Sequence, residues 1–262
     1  MSYLKQVLHY IYSIYGFTVF LLFMFILFPF VVLASFFGRI RGGNIVYHIC
    51  RFWADGALLC WGIFHKNIYE SPHNADHPVI FVFNHISYID IPVILASFRK
   101  QPMRILAKAE MAKIPVFGFI YKAAAVTVDR SNSDHRAKSV QILKSVLAKN
   151  ISVGIAPEGT FNMTGKPLKE FYDGAFRIAI ETQTPIKPVL FLDTYDRLNY
   201  HSVFSLSPGR SRSIFLEEVK VNGYTLDDIK ELKQKVYDIM EAALIRYNAS
   251  WITDEHNNDN RQ

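Results

Sequence analysis

The chain has 262 residues, room for one domain of ~150–200 residues and an accessory element, which excludes a long multidomain assembly. Half of the residues are hydrophobic and 15% aromatic, and the mean hydropathy of +0.12 is high for a soluble enzyme, with phenylalanine crowded toward the N-terminus. A net charge of +6 without zinc-finger spacing or an RNA-binding aromatic motif favours an anionic membrane surface over nucleic acid, and two cysteines exclude a disulfide framework.

From Tyr10 to Gly38 there is no Asp, Glu, Lys, Arg or His. A bilayer core of ~30 Å needs about 20 apolar residues in a helix, so this run reads as membrane-embedded. A cleaved signal peptide fits poorly, because its apolar core is ~7–15 residues long, and the one small-residue site, Ala34-Ser35, is followed by Phe36-Phe37. Pro29 predicts either a kinked span or a helix that turns back there. The mixed stretch Ile45 to Phe64, with Trp53 and Trp61, fits an interfacial helix or a helix packed on the following domain. Cys50 and Cys60 both lie in it and read as structural thiols. Arg39, Arg41, Arg51 and Lys66 follow the apolar run against Lys5 before it, which places the next domain at the cytoplasmic face of the cell membrane.

From about Lys66 the pattern changes to short β-rich runs alternating with amphipathic stretches. Strands are predicted at Pro78 to Phe83, Met103 to Ala107, Ala125 to Val128, Ile151 to Ala156 and Ile186 to Phe191, with a late strand within Ser211 to Val221. Helices are predicted over Asp134 to Lys149, after the cap residues Ser131-Asn132-Ser133, and over Leu226 to Trp251. The alternation defines an α/β class with a largely parallel sheet flanked by helices. Residues 1–65 are read as an N-terminal membrane-associated helical segment, 66–252 as the α/β domain and 253–262 as a polar, frayed tail.

In such sheets ligands gather at the carboxyl ends of the strands. The first predicted strand delivers Asn84-His85 there, with Asp90 at the start of the next helix. A histidine so placed can serve as a general base near neutral pH, and a carboxylate within reach holds its ring and stabilises the charge it gains. Lys108-Ala109-Glu110, with Pro115 and Gly118 beyond, follows the second strand and offers a point charge. Asp129-Arg130 follows the third, where a surface ion pair is the alternative. Glu158-Gly159-Thr160 follows the fourth: glycine admits a ligand close to the backbone, Glu accepts hydrogen bonds and Thr donates one. Pro185 and Pro188 around the fifth predict an edge strand or a bend.

This ordered set, from His85 and Asp90 through Lys108-x-Glu110, Asp129-Arg130 and Glu158-Gly159-Thr160 to Pro185-Ile186-x-Pro188-Val189, resembles the glycerolipid acyltransferase family over Pro78 to Leu192, its bacterial 1-acylglycerol-3-phosphate acyltransferases most of all. The resemblance implies acyl transfer from acyl-CoA or acyl-carrier protein to a lysophospholipid hydroxyl at a membrane. His85 would be the base and Asp90 its orienting partner. Glu158, Gly159 and Thr160 would form part of the acceptor site, and Lys108 and Arg130 would face the acceptor phosphate. Neither a metal, a further cofactor nor a serine or cysteine nucleophile is implied, and no Gly-x-Ser-x-Gly elbow is present. Backbone N–H groups after His85 are expected to stabilise the oxyanion.

Two positions depart from the family pattern. Phe161 stands where an arginine usually follows Glu-Gly-Thr, and Tyr172-Asp173 precedes Gly174 where lysine is common. Arg104, Lys166, Lys169 and Arg177 are the cations that could compensate. A lyso-amino-acid lipid as acceptor, or a non-catalytic lipid-binding protein on the same fold, are the alternatives this leaves.

Overall fold

The N-terminal apolar run forms a single helix. In the structure, a computed structural model that describes residues 3–99, 102–129 and 133–253, α1 runs Tyr3–Ser35. At 1.5 Å per residue it is about 50 Å long. Pro29 lies within it without ending it, so of the two readings of the proline the turn does not occur. The chain reverses at Phe36–Gly42 instead, where Gly38 has φ +77° and Gly38–Gly42 form one π-helical turn leading into α2, Gly43–Cys60. Gly42 is required there because a Cβ would lie 2.3 Å from the Ala34 carbonyl oxygen. The α1–α2 hairpin is pinned at its other end by Trp61 Nε1 donating to the Gly16 carbonyl at 2.9 Å and the Tyr12 hydroxyl donating to the Trp61 carbonyl at 2.6 Å.

Of the two readings left open for the second apolar stretch, α2 is a packed helix. It buries Val46, Tyr47, Cys50, Trp53 and Ala57 against the rest of the chain, while Ile45, Phe52 and Leu59 continue the exposed apolar surface of α1. Cys50 is buried but Cys60 is exposed, so the reading of both as structural thiols fails for Cys60, which lies at the helix end.

A seven-stranded sheet follows: β1 (Ile63–Tyr69), β2 (Ile80–Phe83), β3 (Met103–Lys108), β4 (Ala125–Val128), β5 (Ser152–Ile155), β6 (Ile186–Phe191) and β7 (Gly209–Phe215), in the order β1-β7-β6-β2-β5-β3-β4. All pairings are parallel except β6 with β7. β1 was not predicted; its polar His65 and Asn67 hide it, and they are satisfied by hydrogen bonds of 3.1 Å from the ring to Ser211 and 2.9 Å between ring and Asn67. The reading of Pro185 and Pro188 as marks of an edge or bend is overturned, because β6 is fully buried between β7 and β2. Pro188 is tolerated because its missing N–H would face the Leu216 carbonyl, which takes the Ser71 hydroxyl at 3.0 Å instead.

Alternation along β2 divides the two cores. Ile80 and Val82 face α5 (Ser133–Leu147), α6 (Gly174–Thr182) and α8 (Ile229–Arg246), packing with Leu143, Phe176, Val236 and Met240. Phe81 and Phe83 face the hairpin, α3 (Asp90–Ser97) and α4 (Phe117–Ala124). A short α7, Thr194–Arg197, follows β6. The late strand is shorter than predicted, ending at Phe215, with only a bridge at Val219 beyond it. The cap residues Ser131 and Asn132 and the tail 254–262 lie outside the described residues.

Candidate active site

The loop after β2 is shaped by polar side chains turned inward. Asn84 fastens it to the top of β6, donating from Nδ2 to the Phe191 carbonyl at 3.1 Å and accepting the Phe191 N–H at 2.8 Å. Asp90, fully buried in the first turn of α3, accepts three hydrogen bonds on Oδ2: from His85 Nδ1 at 2.8 Å, Ile86 N at 2.8 Å and Ser87 N at 2.9 Å. A carboxylate oxygen that already takes two amide protons fixes the Nδ1–H tautomer of the ring, because it is acceptor-only toward the imidazole. Ser87 closes the turn by accepting the Ile89 N–H at 3.1 Å and donating to the Leu198 carbonyl.

These bonds narrow one expectation. The N–H groups of Ile86 and Ser87 are engaged by Asp90, Ile89 N by Ser87, and Asp90 N by the Ser87 carbonyl at 3.2 Å, so they are not free to receive an oxyanion.

His85 is held from two further directions. Its N–H donates to Glu158 Oε1 at 2.9 Å, and its carbonyl accepts the Asn162 N–H at 2.8 Å. The other Glu158 oxygen accepts the Lys169 N–H at 2.8 Å. Glu158 has no exposed surface, and burial pushes its carboxyl up to about 8, against the pull of the two amides. Its oxygens therefore organise backbone, where the sequence suggested contact with the acceptor. Gly159, at φ +74°, and Thr160 line the site, and the Thr160 hydroxyl accepts a hydrogen bond from Lys169 Nζ at 2.9 Å.

Below His85, between the sheet and α2, α3 and α4, lies an apolar cavity of about 400 Å³. Trp53, Ala57, Ile94, Ile105 and Ile120 form its walls, and His85, Lys108 and Gly159 to Phe161 its polar end. The His85 side chain is 28% exposed, enough to meet a substrate. The Phe161 ring stands edge-on to the imidazole, centroids 4.4 Å apart, and to Tyr88 at 4.9 Å.

The structure thus brings His85, Asp90, Lys108, Glu158, Gly159 and Thr160 to one edge of the sheet. Arg130 lies outside the described residues. Arg104 is at the opposite end of β3, buried and donating to Asn44 at 2.8 Å and the Ile40 carbonyl at 3.3 Å, where it secures the hairpin turn. The negative charge of Asp173 is answered by Lys233 Nζ at 2.7 Å. Lys169, one of the four compensating cations named from the sequence, is at the site, whereas the roles of Asn84 and Asn162 were missed; Asn162, two residues beyond Thr160, carried a signal only as a turn former.

The structure places a histidine-carboxylate pair at the carboxyl edge of a parallel sheet, above an apolar cavity, an arrangement that can offer a general base to a bound hydroxyl. The sequence pattern of the Acyltransferase family matches residues 64–192, and the chain belongs to that family and is an acyltransferase. It is 33% identical over 161 residues to a 1-acyl-sn-glycerol-3-phosphate acyltransferase of Cocos nucifera, covering 61% of this chain and 50% of that protein. With the 1-acyl-sn-glycerol-3-phosphate acyltransferase of Haemophilus influenzae it shares 31% identity over 166 residues, 62% of this chain and 66% of that protein. The chain therefore spans about half to two thirds of the length of these relatives. The crystal structure of the 1-acyl-sn-glycerophosphate (LPA) acyltransferase PlsC from Thermotoga maritima has the same fold, with a TM-score of 0.72 over 97% of this chain and 100% of that one at 24% identity.

Proposed function

We propose that the protein transfers a fatty acyl group from acyl-CoA or acyl-carrier protein to the free hydroxyl of 1-acylglycerol 3-phosphate, giving phosphatidic acid, at the cytoplasmic face of a membrane. The observation that carries this reading is the 2.8 Å His85–Asp90 hydrogen bond at the polar end of an apolar cavity. With Nδ1–H donated to Asp90, Nε2 is the basic nitrogen. The acceptor hydroxyl loses its proton to Nε2 as its oxygen attacks the thioester carbonyl; the C–O bond forms and a tetrahedral adduct results. Collapse breaks the C–S bond, and the imidazolium, stabilised by Asp90, returns the proton to the departing thiolate. The cavity suits the hydrocarbon of the acyl chain. The relatives' names support the acceptor, and the exposed apolar surface of α1, with Phe17, Phe25, Ile26 and Phe30, supports the membrane.

Purified protein in phospholipid vesicles is expected to release free thiol from acyl-CoA or acyl-carrier protein only when 1-acylglycerol 3-phosphate is added. Equal release without an acceptor would overturn the reading. A second reading rests on Phe161, whose ring brings apolar surface against the base: the acceptor is a lyso-amino-acid lipid. A panel of lyso-lipid acceptors decides, a preference for a zwitterionic or carboxylate headgroup favouring the second.

A further inference from the structure

We propose that Lys169 binds the anionic headgroup of the acceptor lipid, and that Glu158 acts as the positioning residue that sets Lys169 in register with His85; the proposal rests on the acyl-transfer reading above. One buried carboxyl holds both residues by their main chains, Oε1 on the His85 N–H at 2.9 Å and Oε2 on the Lys169 N–H at 2.8 Å. The main chains that carry the base and the cation are thereby held at a fixed separation through two hydrogen bonds and a rigid planar group. The Lys169 side chain then turns to the site, its Nζ donating to Thr160 Oγ1 at 2.9 Å, and Thr160 lines the same cavity as His85.

An ammonium has three donors, and the Thr160 hydroxyl takes one. Among the described residues no ion pair neutralises Lys169, whereas Lys144 pairs with Glu181 and Lys233 with Asp173, both at 2.7 Å. A half-buried, unneutralised ammonium beside a catalytic cavity is a binding site for an anion. Lys108, exposed at the end of β3 and lining the same cavity, gives a second point of positive charge, while Arg104 is committed to the far end of that strand. A phosphate monoester carries up to two negative charges and three acceptor oxygens, which matches separated ammonium donors. The Thr160 hydroxyl accepts from Lys169, so its own proton remains to donate to a phosphate oxygen.

The test compares wild type, Lys169→Met and Lys169→Arg in vesicles, with 1-acylglycerol 3-phosphate and with 1-acylglycerol, which lacks the phosphate. For Lys169→Met, KM for the phosphorylated acceptor is expected to rise about tenfold or more, a loss of one charge-assisted contact, with the donor KM within about twofold. The preference for the phosphorylated over the phosphate-free acceptor falls by the same factor, and Lys169→Arg restores most of it. An unchanged acceptor KM in Lys169→Met overturns the proposal. So does an equal loss on both acceptors with a lowered thermal midpoint and no rescue by arginine, which marks a packing role. If wild type esterifies the phosphorylated acceptor and only the variant result fails, the acyl-transfer reading stands without this inference; if wild type leaves that acceptor untouched, both fall.

Discussion

The two faces of the sheet are built from similar residues to opposite ends. On one, α5, α6 and α8 close over Ile80 and Val82 with Leu143, Phe176, Leu232, Val236 and Met240 all at 0% exposure. On the other, α2, α3 and α4 cover Phe81 and Phe83 yet leave about 400 Å³ of apolar space beneath His85. Close packing is the default for a protein interior, so space kept open on one face of the same sheet marks where a ligand goes. The closed face supplies stability and the open face supplies the site.

The sharpest break of this contrast comes from the proposed base. His85→Ala is expected to lower kcat by about 10²- to 10⁴-fold while shifting the thermal midpoint little, since the ring belongs to the open face; steady-state kinetics beside calorimetry check it. Truncating the closed face does the reverse: Phe176→Ala should cost about 3–5 kcal/mol of stability by denaturant titration, with substrate KM values unaltered in the fraction that remains folded. Enlarging a small residue on each face refines the comparison. Ala179→Leu, at 0% exposure in α6, is expected to destabilise by about 1–3 kcal/mol. Ala57→Leu, which points its added atoms at the cavity, is expected to cost less than about 1 kcal/mol and to shift donor preference toward shorter acyl chains.

A last test is a pH slope. The Glu158 carboxyl titrates near 4.5 when unfolded and is pushed up to about 8 by burial in the folded protein, so the folded state holds its proton longer. The stabilisation it adds is complete below pH 4.5 and is lost as pH rises toward 8. Unfolding free energy measured from pH 5 to pH 8 should therefore decline more steeply in wild type than in Glu158→Gln, which has no proton to lose.

Much of this architecture was legible in the residues. β2, β3, β5 and β6 are short β-rich runs bounded by turn residues, and the motifs at His85, Lys108 and Glu158, each placed after such a run, fall at one sheet edge because parallel strands all end there. What escaped detection was set by partners distant in sequence. β1 reads as polar because Ser211 satisfies His65 from 146 residues away. Pro29 reads as a kink or a turn, although the reversal lies beyond it, where Gly38 supplies the positive φ and Gly42 the space against the Ala34 carbonyl. Pro188 looked like an edge signal because nothing local announces that Ser71 will fill in for its absent donor. Within the site, Glu158 was read as a ligand of substrate, since a lone glutamate in sequence does not disclose that both its oxygens face backbone amides.

The three-way anchoring of His85 ties competence to the completion of folding. Its ring is secured by a neighbour 5 residues away, but its main chain is secured by Glu158, 73 residues on, and by Asn162 beyond that. Contacts so remote in sequence close late, after most of the chain has condensed. A nascent or partly opened molecule can hold much of its sheet and still have no aligned imidazole, so turnover will report the intact native state and fade ahead of the loss of sheet structure.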